Sequence, residues 1–247
     1  MRWQLPEIFP PVWFSSRGRP IASLADVSPE GADENGVVAL GGELSVPTLS
    51  GAYRRGIFPW PHTGLPLCWF CPDPRAILDF ADLHVPKSLE KERKKARFTF
   101  TTNTAFAKVI RSCRTAKRPE QGGTWITTAM VAAYVRLYEA GFAHSVEAWN
   151  ESGELVGGLY GVDAGGVFVG ESMFYREPYA SKLCLLHLFD RLRENGGDWL
   201  DIQMMTPHFE QLGAKEIPRT DFLRRLSQAQ ALGRQLFAPS PVPFPTI

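Results

Sequence analysis

The segment LDIQMMT, residues 200–206, places two polar side chains inside a run that is typical of a buried strand. Side chains alternate between the two faces of a strand, so Asp201 and Gln203 should share one face. A carboxylate and an amide on one face could orient a substrate and assist proton movement. The alternative is structural, because an Asp can cap a turn and a Gln can satisfy a backbone group.

A second candidate cluster lies in GESMF, residues 170–174. The same alternation predicts that Glu171 and Met173 share one face, with Ser172 on the other. An acid beside a soft apolar side chain suits a ligand that has an apolar group attached to a polar reactive end. Glu171 and the Asp201–Gln203 pair would then face one cleft, provided that their strands are neighbours.

The elements around these residues predict that the strands are neighbours. Period-two segments HSVEAWN, LVGGLYGV and VFVGESMF are separated by the turns ESGE and DAGG, which indicates three antiparallel strands. A long apolar helix follows from about Tyr179 to Glu194, and it permits a parallel crossover to the strand at residue 200. The sequence therefore predicts an α+β fold with a mixed, mostly antiparallel sheet in the order of GNAT-like acyltransferase cores.

The first 75 or so residues differ in character, being rich in Pro and Gly with short helical pieces. They predict a small N-terminal domain, residues 1–74, ahead of a catalytic domain, residues 75–247. Ser45 should cap a helix with Pro47 in its first turn and Gly56 at its end. Asn103 is predicted to cap a later helix. A further helix is predicted to close at Gly141.

Charge is balanced overall, with 27 basic and 26 acidic side chains in 247 residues, so a polyanion would need a local basic patch. The segment from residue 87 to residue 97 offers such a patch. A solvated helix face is the alternative interpretation. Its basic residues are Lys87, Lys91, Arg93, Lys94, Lys95 and Arg97.

Four cysteines are too few and too scattered for a disulfide scaffold, so reduced thiols are expected. Cys68 and Cys71 form a single C-x-x-C, which is a weak signal for metal or redox chemistry. His208 follows the polar strand closely, but Pro207 should end that strand, so we do not assign His208 as a general base. With no signal peptide and no apolar run long enough to span a membrane, we expect a cytoplasmic protein that needs no membrane.

Several motifs in order along nearly the whole chain resemble one bacterial family, the leucyl/phenylalanyl-tRNA-protein transferases. They are ALGGELS, AYRRGIFPW, PDPR, GTWIT, GGLYGV, GESMF, ASK, DIQ and LGAKEIPR. Two departures stand out. CWFCPDPR replaces the usual WWSPDPR, and Thr206 stands where an Asn is common, so Thr206 is not assigned to the site.

The resemblance implies an aminoacyltransferase without metal or organic cofactor. It would move Leu or Phe, and less efficiently Met, from Leu-tRNA or Phe-tRNA to the N-terminal Arg or Lys of acceptor proteins, which marks them for degradation by the N-end rule pathway. The N-terminal domain would help to bind the aminoacyl-tRNA.

Site residues follow from the resemblance position by position. Asp201 and Gln203 match the catalytic pair, and Glu171 and Met173 match the donor pocket, where we expect Leu159 and Phe168 as neighbours. Aromatic positions near the bound nucleotide match Tyr53, Trp60, Trp125 and Tyr134. The basic segment would contact the tRNA backbone.

Two other functions are considered. An acetyl-coenzyme A N-acetyltransferase would share the fold, but it binds pyrophosphate through a Gly-rich turn at the start of the crossover helix. Here that turn reads YREPYASK, without glycine and with a proline. A non-catalytic RNA-binding module would make the Asp and Gln merely structural.

Overall fold

A computed structural model of the chain describes residues 12–62, 64–116 and 124–237. The start of the predicted N-terminal domain, residues 1–11, and the end of the predicted catalytic domain, residues 238–247, lie outside the described residues. Two β-sheets and the helices packed on them make up the fold, which confirms the predicted α+β class.

The N-terminal region forms a five-stranded antiparallel sheet in the order β2-β1-β3-β5-β4. Sequence analysis predicted only short helical pieces there. The strands have two to five residues, too few to show alternation. Their bounds are β1 Trp13–Ser15, β2 Pro20–Ile21, β3 Val37–Gly41, β4 Phe58–Trp60 and β5 Cys68–Phe70.

Helix α1, Val46–Arg54, confirms the predicted capping. The Ser45 side chain accepts a hydrogen bond from the Thr48 N–H, and a proline occupies the first turn. Gly56 follows the end of the helix with φ of 75°, a left-handed conformation that glycine adopts without steric cost.

The larger sheet has seven strands in the order β12-β6-β11-β10-β9-β8-β7. Only the β10–β11 pair is parallel, so the sheet is mixed and mostly antiparallel, as predicted. Sequence analysis located β8 to β11, but not the strands added at both edges. The bounds are β6 Arg75–Asp79, β7 Thr99–Thr102, β8 Ala143–Trp149, β9 Leu155–Asp163, β10 Phe168–Tyr175, β11 Trp199–Gln203 and β12 Lys215–Ile217.

Helices cover both faces of this sheet and enclose two apolar cores. Residues of α3 and α4 pack in the first core, together with the N-terminal sheet. Residues of α5, which crosses over between β10 and β11, pack in the second core. The helices are α2 Lys87–Lys94, α3 Phe106–Thr115, α4 Thr128–Glu139, α5 Ala180–Glu194, α6 Pro207–Gln211 and α7 Arg219–Ala231.

One predicted cap is wrong. Helix α3 begins at Phe106, and Asn103 lies three residues before it with φ of 60°. The Asn103 side chain instead accepts a hydrogen bond from the Ser145 N–H at 3.0 Å. The N-cap residue is Ala105, which makes no side-chain cap, and its backbone N–H donates to the Glu147 carboxylate of β8 at 3.1 Å.

The division at residue 74 stays a prediction. Side chains from both sides of it, such as Tyr53, Trp69 and Tyr134, lie in the same apolar core. Within the described ranges, no helix is long and apolar enough to cross a membrane.

Candidate active site

The two predicted polar strands meet at the parallel pair. Val169 of β10 lies opposite Asp201 of β11, and the Gln203 Nε2 donates to Glu171 Oε1 at 2.7 Å. The prediction that these strands are neighbours is confirmed. Glu171 and Gln203 face one cleft, but Asp201, which was predicted to face it with them, is 1% exposed and does not line it.

Irregularities in both strands form this cleft. Strand β10 bulges between Gly170 and Ser172, and β11 bulges against β6 between Asp201 and Gln203. The β10 bulge breaks the alternation of side chains. Glu171 therefore does not share a face with Met173 as predicted: the Glu171 carboxylate meets tyrosines of the first core, whereas Met173 packs against the second.

Three donors surround the Glu171 carboxylate. The Tyr53 hydroxyl donates to Oε1 at 2.8 Å and the Tyr134 hydroxyl to Oε2 at 3.3 Å, and Gln203 completes the set. Burial raises the pKa of Glu171 to about 7, although the three hydrogen bonds oppose that rise; the nearby Asp201 carboxylate adds to it. Glu171 thus titrates near neutral pH.

Tyr53 and Tyr134 occupy a different place from the predicted one. Their exposed fractions are 1% and 0%, their hydroxyl groups lie next to each other, and neither lines the cavity described below. A ring buried in this way has no open face for a nucleotide base. The two tyrosines therefore offer no ring face to a bound nucleotide and instead contact Glu171 from the core side.

A buried ion pair lies under the Gln203 backbone. Arg75 donates from Nε to Asp201 Oδ1 at 2.9 Å and from Nη2 to Oδ2 at 2.7 Å, and each side chain is 1% exposed. Asp201 Oδ1 also accepts from the Gln203 N–H at 2.9 Å. Sequence analysis did not select Arg75, although an Arg directly before the apolar strand segment AIL was a usable signal.

The cleft opens into a cavity of about 530 Å³. Seven of the predicted site residues line it, but Asp201 does not, because it is covered by Arg75 and the Gln203 backbone. Leu185, Leu188 and Ile202 also line it and were not predicted. The predicted residues on its wall are Trp60, Trp125, Leu159, Phe168, Glu171, Met173 and Gln203.

Short helix α6 borders the same cavity. The Thr206 hydroxyl accepts from the Phe209 N–H at 3.4 Å and so caps the helix, while its side chain remains on the cavity wall. Burial lowers the pKa of His208 to about 4, with a smaller contribution from Lys182, so its imidazole is neutral at pH 7. A neutral imidazole there agrees with leaving His208 without a general-base role.

The predicted basic segment forms α2 and the turn after it, and all six of its basic side chains are exposed. Arg93 pairs with Asp190 of α5, and Lys95 and Arg97 pair with Glu92. Lys87, Lys91 and Lys94 make no ion pair with any described residue. They are spaced four and three residues apart and form one stripe on the helix.

No group of three metal-ligating side chains occurs within residues 12–62, 64–116 and 124–237. All four cysteines are buried free thiols. Burial raises the pKa of the Cys71 thiol to about 11, so it is protonated at pH 7 and is a poor metal ligand or nucleophile.

Comparison with known proteins gives one consistent result. A family model described as leucyl/phenylalanyl-tRNA protein transferase matches residues 77–227, and a model of that family's N-terminal domain matches residues 42–73. Curated relatives of this chain carry the name leucyl/phenylalanyl-tRNA–protein transferase. The relative from Thiobacillus denitrificans is 49% identical over 196 residues, which cover 79% of this chain and 85% of the relative.

The relative from Magnetococcus marinus is 48% identical over 206 residues, with 82% and 87% of the two chains covered. The relative from Escherichia coli O1:K1 / APEC is 48% identical over 214 residues, with 86% and 89% covered. The residues matched by the two family models include all of those that line the cavity described above. The chain is therefore an aminoacyltransferase and belongs to the leucyl/phenylalanyl-tRNA protein transferase family.

Proposed function

We propose that this enzyme moves Leu or Phe, and less efficiently Met, from aminoacyl-tRNA to an N-terminal Arg or Lys of acceptor proteins in the cytoplasm, marking them for degradation by the N-end rule pathway. One observation carries the proposal. A single cavity joins an apolar end, lined by Leu159, Phe168 and Met173, to a polar end at Glu171 and Gln203.

The apolar end suits the side chain of the donor amino acid. Helix α5 closes it with Leu185 and Leu188, so the pocket lies between the sheet and the crossover helix. Trp60 and Trp125 lie half-buried on the cavity wall. Aromatic rings in that setting can stack on the terminal adenosine of a single-stranded tRNA 3′ end.

The reaction is an aminolysis. The neutral α-amine of the acceptor attacks the carbonyl carbon of the aminoacyl ester, an amide bond forms, and the bond to the tRNA 3′ oxygen breaks. One proton passes from the amine to the departing oxygen, so the products are extended protein and deacylated tRNA. An α-amine of pKa about 8 is already partly neutral at pH 7, so positioning supplies much of the rate.

Gln203 is the residue best placed to position the amine. Its Nε2 is held by Glu171, and its Oε1 has no hydrogen-bond partner among the described residues. Gln203 Oε1 can therefore accept a hydrogen bond from the attacking α-amine and stabilise the positive charge that develops there. Asp201 contacts the Gln203 backbone N–H, so its effect on the amine is indirect.

The basic helix α2 supports binding of the tRNA body. It packs against α5, and its stripe of Lys87, Lys91 and Lys94 carries charge that no described acidic side chain neutralises. Contacts between basic side chains and phosphates contribute to the affinity for tRNA independently of its nucleotide sequence. A protein with a net charge of +1 depends on such a local patch to bind a polyanion.

Transfer can be tested directly. The protein is incubated with labelled Leu-tRNA and a peptide that begins with Arg, and label on the peptide is measured. An N-acetylated copy of the peptide is the control and should accept nothing. Label from acetyl-coenzyme A instead of Leu-tRNA would favour an N-acetyltransferase, and tRNA binding without transfer would favour an RNA-binding module.

A further inference from the structure

We propose that Arg75 is a positioning residue for the transfer reaction. Through Asp201 it fixes the backbone of Gln203 in the conformation that presents the Gln203 side chain to the cavity. This inference rests on the proposed role of Gln203.

Asp201 itself has no access to the substrate. It is 1% exposed and does not line the cavity. Both of its oxygens are occupied: Oδ1 accepts from Arg75 Nε and from the Gln203 N–H, and Oδ2 accepts from Arg75 Nη2. The hydrogen bond to the Gln203 backbone N–H is therefore the direct contact between Asp201 and a residue that lines the cavity.

The Gln203 backbone requires such support. Its φ of 64° lies in the left-handed region, which a non-glycine residue occupies only when its surroundings hold it there. The conformation coincides with the bulge between Asp201 and Gln203. A hydrogen bond from the Gln203 N–H to an ion-paired carboxylate holds the bulge at the point where β11 enters the cavity.

Two aromatic rings hold the Arg75 side chain in addition to its ion pair with Asp201. Its guanidinium lies between the rings of Phe58 of β4 and Phe222 of α7, with the carbon of the guanidinium 4.9 Å and 4.5 Å from the two centroids. Phe58 also lines the cavity. Only a planar guanidinium can stack between two rings and bind a carboxylate with two parallel hydrogen bonds, so Lys cannot substitute.

The pair also changes the electrostatic interpretation of the site. Arg75 neutralises Asp201 within 3 Å, so Asp201 offers no free negative charge to the developing ammonium. If Asp201 acted by charge, removal of Arg75 would strengthen that action. If Asp201 acts by holding the Gln203 backbone, removal of Arg75 lowers kcat. The two hypotheses therefore predict opposite changes in kcat.

Arg75→Lys is the primary test, with steady-state transfer of Leu from Leu-tRNA to an Arg peptide. We expect kcat to fall by about 10- to 100-fold with KM for Leu-tRNA nearly unchanged, because a small displacement of a reacting group costs about that much. Arg225→Lys is the matched control. Arg225 lies on α7, pairs with Asp79 and stacks on Trp199, outside the cavity, so its loss should lower Tm alone.

Arg75→Met/Asp201→Asn removes both charges together and so leaves no unpaired buried ion. Assayed below its melting temperature, it should show the same kcat as Asp201→Asn alone, since residues that act as a unit are not additive. The Gln203 amide resonance in ¹H–¹⁵N spectra should shift in every Arg75 variant and not in Arg225→Lys.

Two results would overturn the inference. One is wild-type kcat in Arg75→Lys or in the double variant; the other is a kcat loss in Arg225→Lys equal to that in Arg75→Lys. Wild-type enzyme that fails to transfer Leu at all would instead refute the proposed function, so the two failures are distinguishable.

Discussion

At the scale of single residues, the site depends on which groups donate to Glu171. Its carboxylate accepts from Tyr53, Tyr134 and Gln203, and the last of these bonds fixes which end of the Gln203 amide faces the cavity. Ionised Glu171 accepts from Gln203 Nε2, which leaves Oε1 for the amine in the reaction that we propose. The orientation of Gln203 is therefore coupled to the charge of Glu171.

A charge exchange tests that coupling. Gln203→Glu places a second carboxylate 2.7 Å from the first, so we expect kcat to fall by about 10² or more at pH 8, as with Gln203→Ala. Adding Glu171→Gln restores one donor and one acceptor at this contact. The double variant should recover at least tenfold over Gln203→Glu in single-turnover transfer of Leu; equal rates in the two would show that the contact does not orient the amide.

The raised pKa of Glu171 also predicts how stability varies with pH. In the unfolded chain this group titrates near its ordinary value of 4.5, and in the folded protein near about 7. The folded state therefore holds the extra proton between these values, so the unfolding free energy falls as pH rises through that window. Relative to Glu171→Gln, wild type should lose up to about 3 kcal/mol between pH 4.5 and 7.

Urea unfolding of both proteins across this range gives the measurement. Glu216→Gln, on an exposed position of β12, is the control and should follow wild type at every pH. A constant difference between wild type and Glu171→Gln from pH 4.5 to pH 8 would contradict the raised pKa.

At the scale of elements, what the sequence could predict depends on the length of the periodic pattern. Strands β8, β9 and β10 and helix α5 have seven to fifteen residues, and their positions were predicted closely. Strand β11 has only five residues, and its place was predicted from the crossover helix before it. Strands β6, β7 and β12 have three to five residues and are defined by partners far away in sequence. The predicted cap of α3 failed for the same reason, since the Asn103 side chain binds the N–H of Ser145, 42 residues away in sequence.

The pocket between β9, β10 and α5, which we propose to hold the donor side chain, predicts graded selection among donor amino acids. Hydrophobic pockets discriminate one methylene by about 1 to 3 kcal/mol, so Leu, Phe and Met should all be transferred at different rates, with clear loss for β-branched Ile and Val. Leu185→Phe fills part of this pocket and should lower transfer of Phe relative to Leu by about tenfold or more.

Leu186→Phe is the matched control, because Leu186 is buried on the same helix but does not line the cavity. Competition between labelled Leu-tRNA and Phe-tRNA measures the ratio directly. An unchanged ratio in Leu185→Phe, or equal transfer of Val and Leu by wild type, would place the donor side chain elsewhere.

At the scale of the whole molecule, the site joins parts that the sequence separates widely. The strand order alone was enough to predict that Gln203 and Glu171 lie close together. Arg75 pairs with Asp201 across 126 residues, and the rings that hold Arg75 come from the N-terminal sheet and from α7. Periodicity carries no information on such contacts, so sequence analysis selected the polar pair and missed the Arg beneath it.

The sheet also separates two surfaces that can be compared for tRNA binding. Helix α2 packs on α5 at the second core, whereas α3 packs at the first core with Lys108, Arg111 and Arg114 exposed. Changing Lys87, Lys91 and Lys94 to Gln should raise KM for Leu-tRNA and leave kcat unchanged. Each phosphate contact contributes about 0.7 to 0.9 to the slope of log affinity against log salt, so this slope should fall by about 2.

The experiment is a series of KM values for Leu-tRNA between 50 and 200 mM salt, about the range in which such contacts are most visible. The α3 variant, with Lys108, Arg111 and Arg114 changed to Gln, removes the same charge from the opposite face and should keep the wild-type slope. The opposite result is a reduced salt dependence of KM in the α3 variant and a change in Tm alone in the α2 variant. In that case the tRNA body lies across α3, and α2 is a solvated helix.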